Sequence, residues 1–249
     1  MIKRNLKLLL EYDGTEFHGW QFQPERRTVQ GVLREAISKI EDLPLSEIKL
    51  IGASRTDAGV HAVGQVANFF SRRRISPANY RKALNSILPE DLVVKGIEEV
   101  ELSFNARRDA RGKWYRYIVL NSDYPSALER KRVFFFPHKV DVDLMREIGH
   151  IFVGKKDFSS FRASGSDAKS SIREIFSLII EKHGDYIYFD IRGSGFLKQM
   201  VRNIVGTLLW VGIGKIQPEE LESIFSARDR RKAGPTAPAH GLYLMEVEY

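Results

Sequence analysis

Apolar residues recur along the chain with two different spacings, which predict the order of its strands and helices. In the first part of the chain, short apolar runs predict strands at 6–12, 48–53, 66–70 and 91–100. Helical spacing predicts one helix after the N-cap Thr28 and another after Ser76, with Pro77 at its first position. The order strand, helix, strand, strand, helix, strand is typical of the ferredoxin-like split pattern.

The rest of the chain repeats this order more loosely. Its predicted strands lie at 113–120, 171–181, 186–192 and 242–249, and its predicted helices at 141–152, at 197–211 and from Pro218 onward. The small, polar stretch 163–171 predicts a loop, either a lid or plain surface. We therefore expect an α+β protein of two related ferredoxin-like halves, 1–103 and 104–249, a repeat that depends on element order alone.

The composition narrows the class of protein and the chemistry open to it. At 249 residues, with 43% hydrophobic and 29% charged residues, the chain is typical of a globular protein. Its net charge of +7 suits a polyanionic partner such as RNA, although a basic surface without a ligand gives the same sum. The absence of cysteine excludes thiol nucleophiles and the cysteine ligands of a zinc-dependent base deaminase. The histidines form no His-Glu-x-x-His pair, so we expect no metal site.

The apolar segments are short for a secreted or membrane protein. Lys7 and Glu11 interrupt the first apolar run before it reaches the length of a signal-peptide core. No segment reaches the roughly 20 apolar residues needed to span a bilayer. We therefore expect the protein in the cytoplasm, with no membrane partner.

The most informative stretch is 50–70, in which two apolar strands flank a glycine-rich turn. The turn contains Arg55, Thr56, Asp57, Gly59, His61 and Gly64. Its small residues would let a large flat substrate come close to the backbone. Asp-Ala-Gly is ordinary turn sequence, so residue type alone favours a structural aspartate. An arginine placed two residues before a lone carboxylate is nevertheless an arrangement that suits catalysis.

This turn and several other segments resemble one enzyme family. RTDAGVHA, followed by GQV, closely resembles the signature of the TruA-type tRNA pseudouridine synthases. Further segments resemble the family's other blocks in the same order: EYDG, HGWQ, KWYRYIV, DFSSF, FLKQMVRNIVG and GLYLMEVEY. Ser54 stands where glycine is frequent in the family, a small-for-small exchange. The resemblance implies isomerisation of uridine to pseudouridine at positions 38–40 of the tRNA anticodon stem-loop, without a cofactor. It also implies a homodimer that cradles one tRNA over a positively charged cleft between the half-domains.

Within this resemblance, Asp57 is the expected catalytic residue. A carboxylate acts as a nucleophile at the sugar carbon, stabilises an electron-poor sugar, or removes a sugar proton, and the sequence leaves these routes open. The resemblance implies that Arg55 reaches into the RNA and helps hold the target nucleotide flipped, because stacking shields the glycosidic bond. The alternative for Arg55 is a simple salt bridge.

A strand that mixes aromatic and basic residues opens the second half. Alternation places Arg111, Lys113 and Tyr115 on one face of this strand and Arg116 on the other. Aromatic rings stack on bases and neighbouring cations meet phosphates, so Lys113, Arg116 and Arg111 are expected RNA contacts. The resemblance implies that Tyr115 packs against the target uracil. A half-buried strand with solvated charges explains its other aromatic residues equally well.

Arg202 interrupts a predicted helix that is otherwise apolar along one side. An arginine near a buried stripe needs a carboxylate partner, because an unpaired buried charge is costly. The resemblance makes Asp57 that partner, which would keep the aspartate ionised. The alternative is an arginine at the helix edge that reaches water beside Lys198.

Two other functions fit part of the sequence. A non-catalytic RNA-binding protein explains the charge and the aromatic strand, but not an aspartate in a glycine-rich turn. A different base-modifying enzyme, such as a methyltransferase, lacks support because no G-x-G-x-x-G follows a strand. Asp57→Ala separates the first alternative from an enzyme, because only an enzyme would lose turnover while RNA binding survives. His61 and Gln65 are expected to support the turn through hydrogen bonds.

Overall fold

The computed structural model of the chain describes residues 3–165 and 168–249, which have a mixed α+β fold. Its strands are β1 (Arg4–Tyr12), β2 (Ile51–Gly52), β3 (His61–Ser71), β4 (Leu92–Val100), β5 (Gly112–Leu120), β6 (Phe134–Phe135), β7 (Gly154–Asp157), β8 (Ile172–His183), β9 (Tyr186–Gly193) and β10 (Leu242–Glu248). Its α-helices are α1 (Val29–Glu41), α2 (Pro77–Ile87), α3 (Val142–Ile148), α4 (Met200–Gly212) and α5 (Glu220–Ala227). The α+β class predicted from the sequence is confirmed.

The chain divides into two compact units. The first unit comprises Met1–Arg111 with Leu244–Tyr249, and the second comprises Gly112–Tyr243. The last residues belong to the first unit because the Tyr249 hydroxyl donates to the carbonyl of Ala106 (2.8 Å) and its ring lies 5.0 Å from that of Phe104. The division into units reflects only how compactly the residues pack and does not test the repeat, so the expected ferredoxin-like halves 1–103 and 104–249 stay a prediction.

The sheet of the first unit places β1 between β4 and β3. The strand order is β4-β1-β3-β10, and β2 pairs with β3. The pairs β1–β3, β1–β4 and β2–β3 are antiparallel. Alternate residues of β1 are completely buried, namely Leu6, Leu8 and Leu10. This alternation is typical of a strand with one face against the core.

Both predicted helix starts of the first unit are confirmed. Thr28 Oγ1 accepts the backbone N–H of Gly31 (3.2 Å), and Ser76 Oγ accepts that of Asn79 (3.3 Å). Pro77 occupies the first turn of α2. These side chains satisfy N–H groups that have no partner within their own helix.

The strands around the aspartate differ from their predicted bounds. The strand predicted at 48–53 is reduced to Ile51–Gly52, because these two residues are the ones that pair with β3, opposite Asn68 and Ala67. The strand predicted at 66–70 begins earlier, at His61. His61 and Gly64 therefore lie in β3 rather than in the turn. Gly64 fits there because a Cβ would lie 2.2 Å from the carbonyl oxygen of Met245 on the neighbouring strand.

The second unit has the strand order β5-β9-β8-β7, with β6 parallel to β5. The predicted hairpin is confirmed, and its turn contains Gly184 at a φ of +57°. α4 starts later than predicted because Gln199 has a φ of +59°, a left-handed conformation that a right-handed helix excludes. β6 and β7 were not predicted, since two and four residues are too few to show a period.

Two further observations concern predictions about loops and membranes. Residues 166 and 167 of the predicted loop 163–171 lie outside the described residues. Within the described parts of the chain, no helix is both long enough and apolar enough to cross a membrane.

Candidate functional site

Asp57 lies in a tight turn between β2 and β3, here called the Asp57 turn and defined as residues 53–60. Its carbonyl accepts the N–H of Val60 (3.2 Å), and Gly59 within the turn has a φ of +77°. A positive φ of this kind favours glycine. Asp57 is half-buried and Arg55 is exposed. The structure thus brings these two predicted residues together in one turn that remains accessible.

The Gln65 side chain makes the hydrogen bonds that a neighbouring strand would make at the point where the chain leaves the sheet. The last ladder bond runs from Ala53 N–H to the carbonyl of Val66 (2.8 Å). At Ser54, Gln65 Oε1 accepts the backbone N–H (3.2 Å) and Gln65 Nε2 donates to the carbonyl (2.9 Å). A side-chain amide offers the same donor and acceptor as a peptide group. Gln65 therefore ends the ladder with both groups of Ser54 satisfied and lets the chain turn away toward Asp57.

A buried hydroxyl pair fixes the residue before Asp57. The Tyr12 hydroxyl lies 2.8 Å from Thr56 Oγ1 and accepts a longer bond from Gln65 Nε2 (3.4 Å). Gln65, Tyr12 and Thr56 are 0%, 3% and 7% exposed. Buried polar groups are costly unless they are paired, so this network holds the turn in one conformation.

Residues 13–20, here called the N-terminal loop, pack directly against the Asp57 turn. Trp20 N–H donates to the carbonyl of Thr56 (3.0 Å), and Gly59 N–H donates to that of Phe17 (3.2 Å). Gly14 permits this approach, because a Cβ there would lie 2.0 Å from the carbonyl oxygen of Val60. The EYDG and HGWQ segments, residues 11–14 and 18–21, thus include residues that pack against the turn.

His61 joins the N-terminal loop to the start of β3. Its Nδ1 accepts the N–H of Gly14 (3.0 Å) and lies 3.1 Å from Asp13 Oδ1. A backbone N–H can only donate, so we assign Nδ1 as an acceptor, and Asp13 Oδ1 accepts the N–H of Thr15 (3.0 Å). The prediction that Gln65 supports the turn by hydrogen bonds is confirmed, whereas the bond from Gly14 places His61 against the N-terminal loop that packs on the turn.

Tyr115 occupies the buried face of β5 in the second unit. It is 6% exposed, and its ring meets that of Phe196 edge to face at a centroid distance of 5.2 Å. Tyr117 shares this buried face and donates its hydroxyl to the carbonyl of Pro238 (2.7 Å). Burial raises the pKa of Tyr117 above its usual value. The neighbouring residues Trp114 and Arg116 are half-buried, as the predicted alternation requires.

Arg116 is held by a carboxylate of the adjacent strand. Its Nε and Nη2 donate to the two oxygens of Asp190 (2.9 and 2.8 Å), and Trp114 Nε1 donates to Asp190 Oδ1 (2.6 Å). The hydrogen bonds to Asp190 raise the pKa of Arg116. A phosphate that bound Arg116 would have to compete with Asp190 for its guanidinium. Of the other two expected RNA contacts, Lys113 is half-buried and Arg111 is exposed.

Arg202 projects from the first turns of α4 and is half-buried. Its Nε donates to the carbonyl of Ala237 (2.7 Å), and its own carbonyl accepts the N–H of Ala237 (3.1 Å). The sequence indicated that this arginine needs a partner, but did not identify Ala237. No local pattern marks such a contact, because the two residues are far apart in the chain.

The sequence has four basic clusters that could follow phosphates, at 72–74, 107–113, 130–132 and 228–232. Several of their members are engaged in ion pairs. Arg72 lies 3.0 Å from Glu47, Arg108 lies 2.7 Å from Asp109, and Arg231 lies 2.7 Å from Asp229. The formal charge of the sequence therefore overstates the number of cations that are ready to bind RNA. Arg74 and Arg107 are exposed members of the same clusters.

The chain is similar to known proteins over nearly its whole length. A family model described as tRNA pseudouridine synthase matches residues 9–108 and 150–249. A curated tRNA pseudouridine synthase A of Acetivibrio thermocellus is 50% identical over 99% of this chain and 100% of its own length. The protein of the same name from a Thermoanaerobacter species is 46% identical over the same shares. A crystal structure of a Cbf5-Nop10-Gar1 complex matches with a TM-score of 0.35 and 18% identity, over 85% of this chain and 55% of that one.

The two matched segments differ in which candidate residues they include. Arg55, Asp57 and Arg202 lie inside the matched segments. Tyr115 and the three cations near it lie in the interval between them. The family model therefore covers the expected catalytic residue and both arginines expected to assist it, but not the expected base-stacking residue.

Proposed function

Because the chain belongs to the tRNA pseudouridine synthase family, we propose that it isomerises uridine to pseudouridine in tRNA, at positions 38–40 of the anticodon stem-loop. A curated relative named tRNA pseudouridine synthase A is 50% identical over 99% of the chain, and this is the observation that carries the proposal. The supported turn around Asp57 is what such an activity needs, since an accessible carboxylate is held in one place by buried hydrogen bonds.

Asp57 is the proposed catalytic residue. The reaction breaks the bond between N1 of uracil and C1′ of the sugar, and rejoins C1′ to C5 of the turned base. The proton lost from C5 is balanced by one gained at N1, so no redox partner and no external group are consumed. The carboxylate serves either as a nucleophile at C1′ or as a base toward a sugar proton. In both routes the site must exclude water, so that the freed base recombines rather than escapes.

The other candidate residues take supporting roles in this proposal. Tyr115 packs against the target uracil, and its buried position beside Phe196 supplies a fixed aromatic surface. Arg55, exposed in the Asp57 turn, helps hold the flipped nucleotide. Arg202 is the proposed partner of the Asp57 carboxylate. Lys113 and Arg111 contact phosphates, and Arg116 ranks below them because Asp190 already holds it.

The proposal extends to architecture and assembly. The antiparallel order β4-β1-β3, with β2 joined to β3, is the arrangement of a ferredoxin-like half and supports that description of the first unit. We propose two such halves with a basic cleft between them, and a cytoplasmic homodimer that cradles one tRNA. No cofactor or metal enters the proposed reaction, because isomerisation needs none.

The proposal is tested with purified protein and unmodified tRNA transcript, without additives. Pseudouridine is mapped by carbodiimide labelling and primer extension for the wild type, Asp57→Asn and the control Asp185→Asn, an exposed aspartate in a hairpin turn. We expect pseudouridine in the anticodon arm from the wild type and the control, and none from a folded Asp57→Asn that still binds tRNA. A wild type that binds tRNA but forms no pseudouridine would leave the RNA-binding alternative in its place.

The two routes at the sugar are separated by isotope substitution. Deuterium at C2′ of the target uridine slows the reaction severalfold if Asp57 removes that proton in the rate-limiting step. An attack of the carboxylate on C1′ leaves the C2′–H bond intact and gives only a small effect. Measurement under single-turnover conditions keeps product release out of the comparison.

A further inference from the structure

Arg230 points into the second unit, unlike its basic neighbours. Arg231 pairs with Asp229 and its side chain is 89% exposed, whereas Arg230 is half-buried. Arg230 Nη2 donates to Asn203 Oδ1 and to Thr236 Oγ1, at 2.9 Å each. These acceptors are neutral, and burial lowers the pKa of Arg230. A partly desolvated guanidinium whose acceptors are neutral is costly, which indicates a role beyond solubility.

Asn203 connects Arg230 to the helix that bears Arg202. It is completely buried on α4, and its Nδ2 donates to the carbonyl of Phe161 (2.8 Å). Its Oδ1 accepts both Arg230 Nη2 and the Thr236 hydroxyl (2.6 Å). One amide thus receives two donors from residues 229–238, here called the Ala237 loop.

Glycines bring the Ala237 loop into direct contact with α4. A Cβ at Gly206 would lie 1.7 Å from the carbonyl oxygen of Pro235, so only glycine fits at this helix position. Gly234 N–H donates to Thr207 Oγ1 (3.0 Å) on the next residue of the helix. The loop is therefore fixed along one side of α4, with little freedom to slide.

The Ala237 loop is hydrogen-bonded to both the side chain and the backbone carbonyl of Arg202. Ala237 follows Thr236, and its carbonyl accepts Arg202 Nε (2.7 Å) while its N–H donates to the Arg202 carbonyl (3.1 Å). The direction of the Arg202 guanidinium depends on where the Ala237 carbonyl lies. That position depends in turn on Thr236, whose hydroxyl is shared by Asn203 and Arg230.

We propose that Arg230 is a positioning residue for Arg202, acting through Thr236 and the Ala237 carbonyl, and that it is not a phosphate contact. The planar guanidinium suits this task because one nitrogen fixes the directions of two acceptors together. The inference rests on the proposed role of Arg202 in pseudouridine formation. It separates Arg230 from the rest of the 228–232 cluster, which the sequence presents as one basic run.

The test compares Arg230→Gln and Arg230→Lys with the control Arg231→Gln. We expect Arg230→Gln to lower the single-turnover rate about tenfold or more, because small displacements of a catalytic group are costly, while the KM for tRNA changes less than about twofold. Arg230→Lys retains one donor and restores part of the rate. Arg231→Gln behaves like the wild type. A raised KM with an unchanged rate, together with a weaker salt dependence, would instead identify a phosphate contact and overturn the proposal.

A double-mutant cycle with Arg202→Ala separates this inference from the proposed function. We expect Arg230→Gln to add less than about twofold to the loss in Arg202→Ala, because both changes remove the same interaction. Equal effects in both backgrounds would overturn the positioning role alone. A fully active Arg202→Ala would overturn the role of Arg202, and the inference with it. If Arg230→Gln does not fold, Thr236→Val removes the same link and enters the cycle in its place.

Discussion

The two units present their candidate residues on different kinds of backbone. Asp57 lies on a turn whose peptide groups are met by other segments, through Gln65 of β3 and the N-terminal loop. Tyr115 lies on β5, and Arg202 lies on α4, where the ladder and the helix satisfy the backbone. In the second unit, the Ala237 carbonyl accepts the Arg202 side chain at Nε, and the Ala237 N–H donates to the Arg202 carbonyl.

The two units should therefore be sensitive to different kinds of substitution. A turn has buried peptide groups that need partners from elsewhere in the chain, so residues remote from Asp57 decide its position. Strands and helices carry most of their own hydrogen bonds, so we expect remote substitutions to disturb the backbone of Tyr115 and Arg202 less than that of Asp57. We therefore expect activity to depend on buried polar and glycine residues in the first unit, and on contacts of the side-chain tip in the second.

The largest effect is expected at Gly14, where an added methyl group meets backbone. A Cβ there would lie 2.0 Å from the Val60 carbonyl oxygen, so the N-terminal loop must move away from the Asp57 turn. We expect Gly14→Ala to lower the free energy of unfolding by about 3 kcal/mol and to cut pseudouridine formation. The control is Gly96→Ala, whose Cβ would meet only Leu9 Cβ at 3.8 Å. Urea unfolding curves that coincide for the two variants would contradict the tight packing.

The second-largest effect is expected at Gln65, because an apolar side chain has no donor or acceptor to replace those of its amide. Gln65→Leu leaves the N–H and carbonyl of Ser54 without these partners, at a cost of about 2 kcal/mol in the free energy of unfolding. We expect the rate of pseudouridine formation to fall more than about tenfold, since the turn shifts. Gln23→Leu, an exposed glutamine bonded to His18, should leave both quantities unchanged. A stable and fully active Gln65→Leu would show that the turn holds itself.

A smaller effect is expected from single hydroxyl groups, one in each unit. Tyr12→Phe removes the hydroxyl that pairs with Thr56. Tyr186→Phe removes a hydroxyl that donates to Glu129 (2.5 Å), a hydrogen bond that raises the pKa of Tyr186 to about 12 in the wild type. We expect each to cost about 1 kcal/mol or less in thermal unfolding measurements. Only Tyr12→Phe should reduce the rate, by several-fold, because only Tyr12 supports the Asp57 turn. Equal rates for the two variants would remove the distinction between the units.

The smallest effect concerns acid stability at Asp157 in the second unit. Hydrogen bonds from Ser159, reinforced by Arg228, lower the pKa of Asp157 below its ordinary 3.8. The stabilisation is therefore present above pH 3.8 and is lost as the pH falls through the lower value of the folded state. We expect Asp157→Asn to cost less than about 1 kcal/mol at neutral pH, with the difference from wild type shrinking as the pH falls below 3.8. A difference that stays constant through this fall in pH would mean that the charge contributes nothing.

Much of the fold follows from local pattern. The helix that begins after Thr28, the helix that begins at Pro77 and the hairpin of β8 and β9 are predictable because their caps, turns and apolar spacings lie within a few residues. The start of β3 at His61 and the late start of α4 are not. The first depends on pairing with β1, in which Tyr12 lies opposite Ala62, and the second on a left-handed Gln199.

The candidate site is predictable to a different extent. Asp57, Arg55, Tyr115 and Arg202 stand out by residue type and by resemblance, and their roles stay predictions. Arg116 was grouped with the RNA contacts, and the structure adds a carboxylate, Asp190, that lies far away in sequence. Arg230 was one member of a basic run, and nothing local distinguishes it from Arg231.

Short segments of the sequence are enough to establish the family, most of the longer elements and the candidate residues, because each can be interpreted locally. The pairing of side chains with peptide groups depends on the folded chain, which joins Gln65 to Ser54, Tyr12 to Thr56, and the Ala237 carbonyl to Arg202. Buried donors and acceptors must be paired, and their partners come from distant segments that carry no local sign of each other.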